Sequence, residues 1–199
     1  RALAEMNFTI PTPIQEQAIP KLIEADIDLL GLAQTGTGKT AAFALPILEK
    51  IDGSNRKPQA LILCPTRELC MQITKDIEKF SSMTPEIRTV AVYGGASISM
   101  QIRDLRRGVQ IIVATPGRMI DIIERGEVNF LNTAKIFVLF EQGVHGVTDF
   151  DRQVLAEIGL TQVRLGGHAH RVHDDRTQRE LVLFDVLDDP FVVARHDGD

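Results

Sequence analysis

Along the first 140 residues, short apolar runs alternate with longer stretches whose apolar positions recur three and four residues apart. The runs Asp28–Leu32, Gln59–Cys64, Arg88–Tyr93, Gln110–Ala114 and Lys135–Leu139 have the length and aliphatic content of buried strands. Between them, Lys39–Ile51, Glu68–Phe80, Ser97–Arg107 and Gly117–Arg125 predict helices. Pro13–Ala25, with Ile14, Ala18, Ile19, Leu22 and Ile23 on one side, predicts an amphipathic helix ahead of the first strand. Strands alternating with helices of this length imply right-handed crossovers and an α/β fold, a parallel sheet covered by helices on both faces. Ligands of such sheets gather at the carboxyl ends of the strands.

The pattern changes near residue 140. Asp149–Ile158 predicts one helix, ended by Gly159, and Glu180–Val186 and Phe191–His196 predict a hairpin around Leu187-Asp188-Asp189-Pro190. All lysines lie before this point and all histidines after it, and residues 141–199 contain no Lys, Ser, Asn, Cys, Met or Tyr. Charge shifts too: residues 1–140 carry 16 Lys and Arg against 15 Asp and Glu, and residues 141–199 carry 6 against 12. The net charge of −5 therefore belongs to the tail. Such a seam reads as a change of origin, by fusion, engineered exchange or a misread frame. It divides the chain into a domain at 1–139 and a compositionally distinct segment of uncertain fold at 140–199.

An apolar content of 44% with 25% charge is that of an ordinary soluble globular protein. No apolar run approaches the ~18–20 residues of a membrane span, and no secretory pattern opens the chain. It starts at Arg1 without Met, as an excised fragment would. Cys64 and Cys70 match no metal or redox spacing and are expected as reduced thiols of a cytoplasmic protein.

The densest chemistry lies in Ala33-Gln34-Thr35-Gly36-Thr37-Gly38-Lys39-Thr40, between the first strand and the helix that starts at Lys39. A strand ending in a glycine-punctuated loop that closes on Gly-Lys-Thr is the pattern of a phosphate-binding P-loop. Gly36 and Gly38 permit dihedrals that a Cβ resists, so successive N–H groups can face one concavity. The next helix adds its positive end. Lys39 is placed to reach the β- and γ-phosphates of a nucleoside triphosphate, and the Thr40 hydroxyl to ligate Mg²⁺. Ala33 stands where the strict pattern has Gly, which leaves open a plain Gly/Thr-rich connection.

Further segments narrow the reading. Phe8-Thr9-Ile10-Pro11-Thr12-Pro13-Ile14-Gln15 precedes the P-loop strand, Pro65-Thr66-Arg67-Glu68-Leu69 follows the second strand, Gly94-Gly95 the third, and Thr115-Pro116-Gly117-Arg118 the fourth. Hydroxyls, glycine N–H groups, helix N-termini and arginines thus share the sheet edge of the phosphate loop. Such groups grip a phosphodiester backbone without reading bases.

Together these segments resemble the first RecA-like domain of the DEAD-box ATP-dependent RNA helicases, over residues 1–139. The resemblance implies a RecA-like P-loop domain in which Gln15 reads the adenine edge through its amide. It implies that Thr35, Gly36, Thr37, Gly38, Lys39 and Thr40 hold the phosphates and Mg²⁺ of ATP. Thr66, Arg67, Gly94, Gly95, Thr115 and Arg118 would line the path of an RNA backbone, over which a second RecA-like domain closes in the intact protein. Arg103, Arg106 and Arg107 add positive field nearby or form a solvated helix face.

One motif departs from the family. Where it carries Asp-Glu-Ala-Asp, this chain has Phe140-Glu141-Gln142-Gly143. The resemblance assigns the first position to holding Mg²⁺, which Phe140 cannot do. Glu141 keeps the residue linked to activating the attacking water, and would be catalytic with Lys39. Gly143 replaces the Asp that couples nucleotide to the rest of the machine. The family's Ser-Ala-Thr is absent, and its adenine-stacking aromatic would precede residue 1. Hydrolysis needs a positioned metal and water, so losing this electrostatic preorganisation is expected to cost ~10²-fold or more.

The expected function is ATP binding and RNA-backbone binding with impaired hydrolysis, and no unwinding by this domain alone. A non-catalytic nucleotide-binding or interaction module is one alternative. Another is a non-helicase P-loop NTPase that uses Asp185, which ends Glu180-Leu181-Val182-Leu183-Phe184-Asp185 in Walker B form, as its metal ligand. His168, His170 and His173, followed by Asp174 and Asp175, read first as a solvated polar loop, with a cation site as the alternative.

Overall fold

A computed structural model of the chain describes residues 2–6, 8–24, 28–32, 36–128, 134, 136–140, 163–166, 169–172, 180–185 and 191–195. The elements are α1 (Ala2–Glu5), α2 (Pro13–Glu24), β1 (Asp28–Leu32), α3 (Lys39–Lys50), β2 (Ala60–Leu63) and α4 (Arg67–Phe80). They continue as β3 (Thr89–Val92), α5 (Ile98–Arg106), β4 (Ile111–Ala114), α6 (Pro116–Glu124) and β5 (Ile136–Phe140). Beyond the compositional seam lie β6 (Val163–Gly166), β7 (Ala169–Val172), β8 (Glu180–Asp185) and β9 (Phe191–Arg195). The first five predicted strands and the helices among them appear with ends shifted by a residue or two.

Alternation of side chains across the central strands builds the layers. Leu61 and Leu63 of β2, with Ile112 and Ala114 of β4, face one side, where they pack with Leu105 of α5 and Met119, Ile120 and Ile122 of α6. Ala60, Ile62, Ile111 and Val113 face the other side, against Ile14, Ala18 and Leu22 of α2, Phe43 and Ile47 of α3 and Ile73 and Ile77 of α4. Every residue of β2 and β4 is buried, as expected for parallel strands covered on both faces.

The sheet has seven strands in the order β3-β4-β2-β5-β8-β1-β9. All neighbours are parallel except β9, which runs antiparallel to β1 along the edge. β6 and β7 form a separate antiparallel pair. The predicted hairpin of residues 180–196 is therefore corrected. β8 and β9 do not pair with each other but flank β1 on opposite sides. β8 satisfies two partners, β5 and β1, and so gains a doubly paired central position that a local hairpin could not supply. The predicted helix at 149–158 lies outside the described residues. Among the described residues no helix is long and apolar enough to cross a membrane.

At the amino-terminal edge of the sheet a buried amide ties three segments. Gln110, 1% exposed, accepts from the Arg88 N–H at 2.9 Å and donates to the carbonyls of Gly53 at 3.1 Å and Glu86 at 3.2 Å. Replacing it by Leu leaves those backbone groups unpartnered. Gln110→Leu should lose about 2 kcal/mol or more of stability in urea denaturation, while ligand binding at the far edge persists in the folded protein. An unchanged denaturation midpoint would show that the amide contributes nothing net.

Candidate functional site

The P-loop reaches its helix through two left-handed glycines. Gly36 has φ 78°, and Gly38, the N-cap of α3, has φ 88° and ψ 21°. Lys39 and Thr40 then occupy the first turn of α3, half-buried. This first turn leaves N–H groups without intrahelical acceptors, at the positive end of the helix dipole. A cationic amine, a hydroxyl and backbone donors form a set whose chemistry suits a polyphosphate. Thr35 and Glu141 lie outside the described residues. Phe140 ends β5 opposite Phe184 of β8, and a phenyl group has no lone pair for a metal.

Gln15 stands beside this loop, 5% exposed. Its amide oxygen accepts from the Thr12 N–H at 3.0 Å, and its amide nitrogen donates to the Gly38 carbonyl at 3.2 Å. The first of these bonds is half of a capping box, and the order Thr12-Pro13-Ile14-Gln15 carries that signature in the sequence. The second couples α2 directly to the P-loop. An amide has two donor and two acceptor positions, so a second bond at each atom is chemically available for an adenine edge. Among the described residues the buried Thr12 hydroxyl has no hydrogen-bond partner, and it lies 3.2 Å from where a Cβ on Gly38 would sit.

The second group of residues gathers at the same edge beyond β2, β3 and β4. Thr66 is the N-cap of α4, its hydroxyl accepting from the Leu69 N–H at 3.3 Å. Arg67 lies over the Tyr93 ring, 5.0 Å from its centroid. Gly95, at φ 82°, leaves room for this side chain, since a Cβ there would stand 3.2 Å from Arg67 Nη1. Thr115 caps α6, with Pro116 in the first turn, and its N–H donates to the Val92 carbonyl at 2.9 Å. Arg118 Nη1 donates to the Ala96 carbonyl and to Gln101 Oε1, each at 3.0 Å. The structure thus brings Thr66, Arg67, Gly94, Gly95, Thr115 and Arg118 to one edge.

Sequence reasoning missed Gln101 and Tyr93. Gln101 was legible as a polar residue inside the apolar stripe Ile98, Ile102, Leu105, and Tyr93 as the chain's single tyrosine, set against Gly94-Gly95. Of the three arginines on α5 and just after it, Arg106 forks onto Glu127 through two bonds of 2.8 Å and Arg107 bonds Asp104 at 3.2 Å. Their carboxylate partners cancel much of their field, which favours the solvated-face reading.

Cys64 and Cys70 are buried, their thiols donating to the carbonyls of Ala114 at 3.4 Å and Val113 at 3.2 Å. A hydrogen bond with Cys64 pulls the Cys70 thiol below its ordinary pKa. Asp185 ends β8 opposite Leu32, the last residue of the P-loop strand. His170 lies in β7, while His168 and His173 fall outside the described residues. Among the described residues no three His, Cys, Asp or Glu side chains converge as a metal site.

Comparison with known proteins gives a consistent result. A family model described as DEAD/DEAH box helicase matches residues 12–182, beyond the compositional seam. The chain is similar to the ATP-dependent RNA helicase DeaD of Mycobacterium tuberculosis, 43% identical over 160 residues, covering 79% of this chain and 28% of that protein. To the protein of that name in Escherichia coli it is 46% identical over 125 residues, 63% of this chain and 20% of that one. The chain therefore spans about a quarter of the length of these relatives. In structure it resembles the yeast DEAD-box splicing factor Prp28, with a TM-score of 0.75 and 30% identity over 92% of this chain and 42% of that one. A hypothetical ATP-dependent RNA helicase from Sulfolobus tokodaii gives 0.68 and 28%, over 93% and 48% of the two chains.

The two P-loop glycines differ in their surroundings. A Cβ on Gly38 would collide with Gln15 Nε2, whereas one on Gly36 would meet nothing within 4 Å among the described residues. Each substitution by Ala incurs about 1–2 kcal/mol of left-handed backbone strain, and only Gly38→Ala also breaks the tie to Gln15. Gly38→Ala should therefore lower the ligand-free denaturation midpoint more than Gly36→Ala. Equal losses would mean that the Gln15 contact has no energetic weight.

Proposed function

We propose that this chain, which belongs to the DEAD/DEAH box helicase family, binds Mg·ATP at the P-loop and an RNA backbone along the adjoining strand ends. The observation that carries the reading is the common edge: the N-termini of α3, α4 and α6 all follow carboxyl ends of parallel strands in one sheet. Gly36 to Thr40 hold the phosphates, with Thr35 completing the loop, and Gln15 selects adenine. Thr66, Arg67, Gly94, Gly95, Thr115 and Arg118 form half of the RNA track. A second RecA-like domain, in the longer protein that relatives of this length suggest, would supply the other half. Bound Mg²⁺ would offset charge on the β- and γ-phosphates, with Thr40 as its ligand from this chain. The two buried cysteines, read as reduced thiols, are compatible with a cytoplasmic setting.

Binding and turnover separate at Phe140. Lys39 and the helix N-terminus can hold a triphosphate without the strand-end carboxylate, but Glu141 can activate water only if water and γ-phosphate are correctly placed. Hydrolysis by this chain is accordingly weak, and unwinding is not expected from one domain. The register of β8 favours a second reading, in which Asp185, beside the end of the P-loop strand, replaces the missing metal ligand.

Nucleotide competition and single-turnover hydrolysis in the presence of Mg²⁺ test both readings. ATP should displace a fluorescent nucleotide better than GTP does. The variant Phe140→Asp with Gln142→Ala and Gly143→Asp should bind Mg·ATP about tenfold tighter than the unmodified chain. If the unmodified chain hydrolyses ATP as fast as this variant, the strand-end argument is wrong. Loss of that activity in Asp185→Asn would then establish the second reading.

A further inference from the structure

Gln101 is 7% exposed, in the stripe of α5 that packs Ile98, Ile102 and Leu105 against the sheet. An apolar residue would fill such a position without the desolvation of an amide. The amide instead ties chain segments together through both of its polar atoms. Its Nε2 donates to the Tyr93 carbonyl at 3.0 Å, and its Oε1 accepts from Arg118 Nη1 at 3.0 Å. The same Nη1 donates to the Ala96 carbonyl at 3.0 Å. The turn Tyr93-Gly94-Gly95-Ala96 is thus held at both ends, at Tyr93 by Gln101 and at Ala96 by Arg118, and the two holders are bonded to each other. Arg67 rests on the ring of Tyr93 and against Gly95, so its position follows the same turn.

We propose that Gln101 is a positioning residue for RNA binding, fixing the Gly94-Gly95 turn and the Arg118 guanidinium in one arrangement with Arg67. The proposal rests on the reading of this edge as an RNA track. The turn after β3 and helix α6 after β4 meet at this one amide, Arg67 after β2 rests on the same turn, and no phosphate needs to touch the amide. Phosphate contacts depend on the spacing of their donors. Moving Gly95 relative to Arg67 and Arg118 spoils a spacing that a run of phosphates must match. Arg118, with a side chain 15% exposed and also 3.9 Å from Asp121, acts in part as a strut between α6 and this turn.

The test measures binding of the complete 199-residue chain to a fluorescein-labelled oligouridylate at low salt, with a fluorescent ATP analogue as control. Gln101→Met removes both bonds at nearly constant volume and should weaken RNA binding about five- to tenfold, with nucleotide affinity unchanged. Gln101→Glu keeps an acceptor for Arg118 and loses the donor to Tyr93, and should fall between wild type and Gln101→Met. It also serves if the Met variant folds poorly. Because Gln101 acts in part through Arg118 and in part through Tyr93, the losses of Gln101→Met and Arg118→Ala should be less than additive in the pair. Wild-type RNA affinity in Gln101→Met, additive losses in the pair, or a parallel fall in nucleotide affinity would overturn the proposal. Wild-type binding that Arg67→Ala weakens and Gln101→Met does not would remove the role of Gln101 alone. No binding by the unmodified chain would remove the RNA reading and this proposal together.

Discussion

Burial of β2 and β4 on both faces is the constraint from which the rest follows. A strand with no solvated side must be apolar at every position, and it must be flanked by strands that satisfy its backbone and helices that cover its faces. Parallel crossovers meet all of these demands at once. They also turn every strand the same way, so that the turns into α3, α4 and α6 emerge at one edge. The chemistry gathers there because apolar packing leaves that edge as the place where glycines, hydroxyls and arginines can stand.

The edge is cross-braced by buried amides. Gln15 joins α2 to the P-loop, and Gln101 joins the turn after β3 to α6. Each is a polar side chain almost removed from water, and each makes bonds to segments distant in sequence. The half of the edge at the glycine loop before α3 and the half at the Gly94-Gly95 turn are built on the same principle: a loop whose glycines permit an open backbone is fixed from the side by a glutamine. A loop so held presents its N–H groups in a set geometry, which reduces the ordering that ligand binding would otherwise require.

The strands of residues 28–139 were legible because their apolar runs are local, and the helices because their periodicity is. The P-loop was legible for the same reason, its residues being consecutive. What was not legible depended on contacts between distant segments. Leu187-Asp188-Asp189-Pro190 has the composition of a hairpin turn, yet β1, from the other end of the chain, separates the strands it joins. Gln15 was read for its chemistry, and its capping box went unread although Thr12 stood three residues ahead. The place of Gln101 within the stripe Ile98, Ile102 and Leu105 was visible in the sequence, but its bonds to Tyr93 and Arg118 depend on segments the stripe does not reveal. The change of composition near residue 140 gave no hint that β8 would lie between β5 and the P-loop strand.

The central claim is that nucleotide and RNA share the carboxyl edge of one sheet. Amide hydrogen exchange of the complete chain, with and without Mg·ATP and with and without oligouridylate, tests it most directly. The account predicts protection at residues 36–40 and around Gln15 with nucleotide. It predicts protection at 66–67, 93–96 and 115–118 with RNA, and no change around Gln59, Arg88 and Gln110 at the opposite edge. Protection by either ligand confined to that opposite edge, or to residues 163–195, would contradict it.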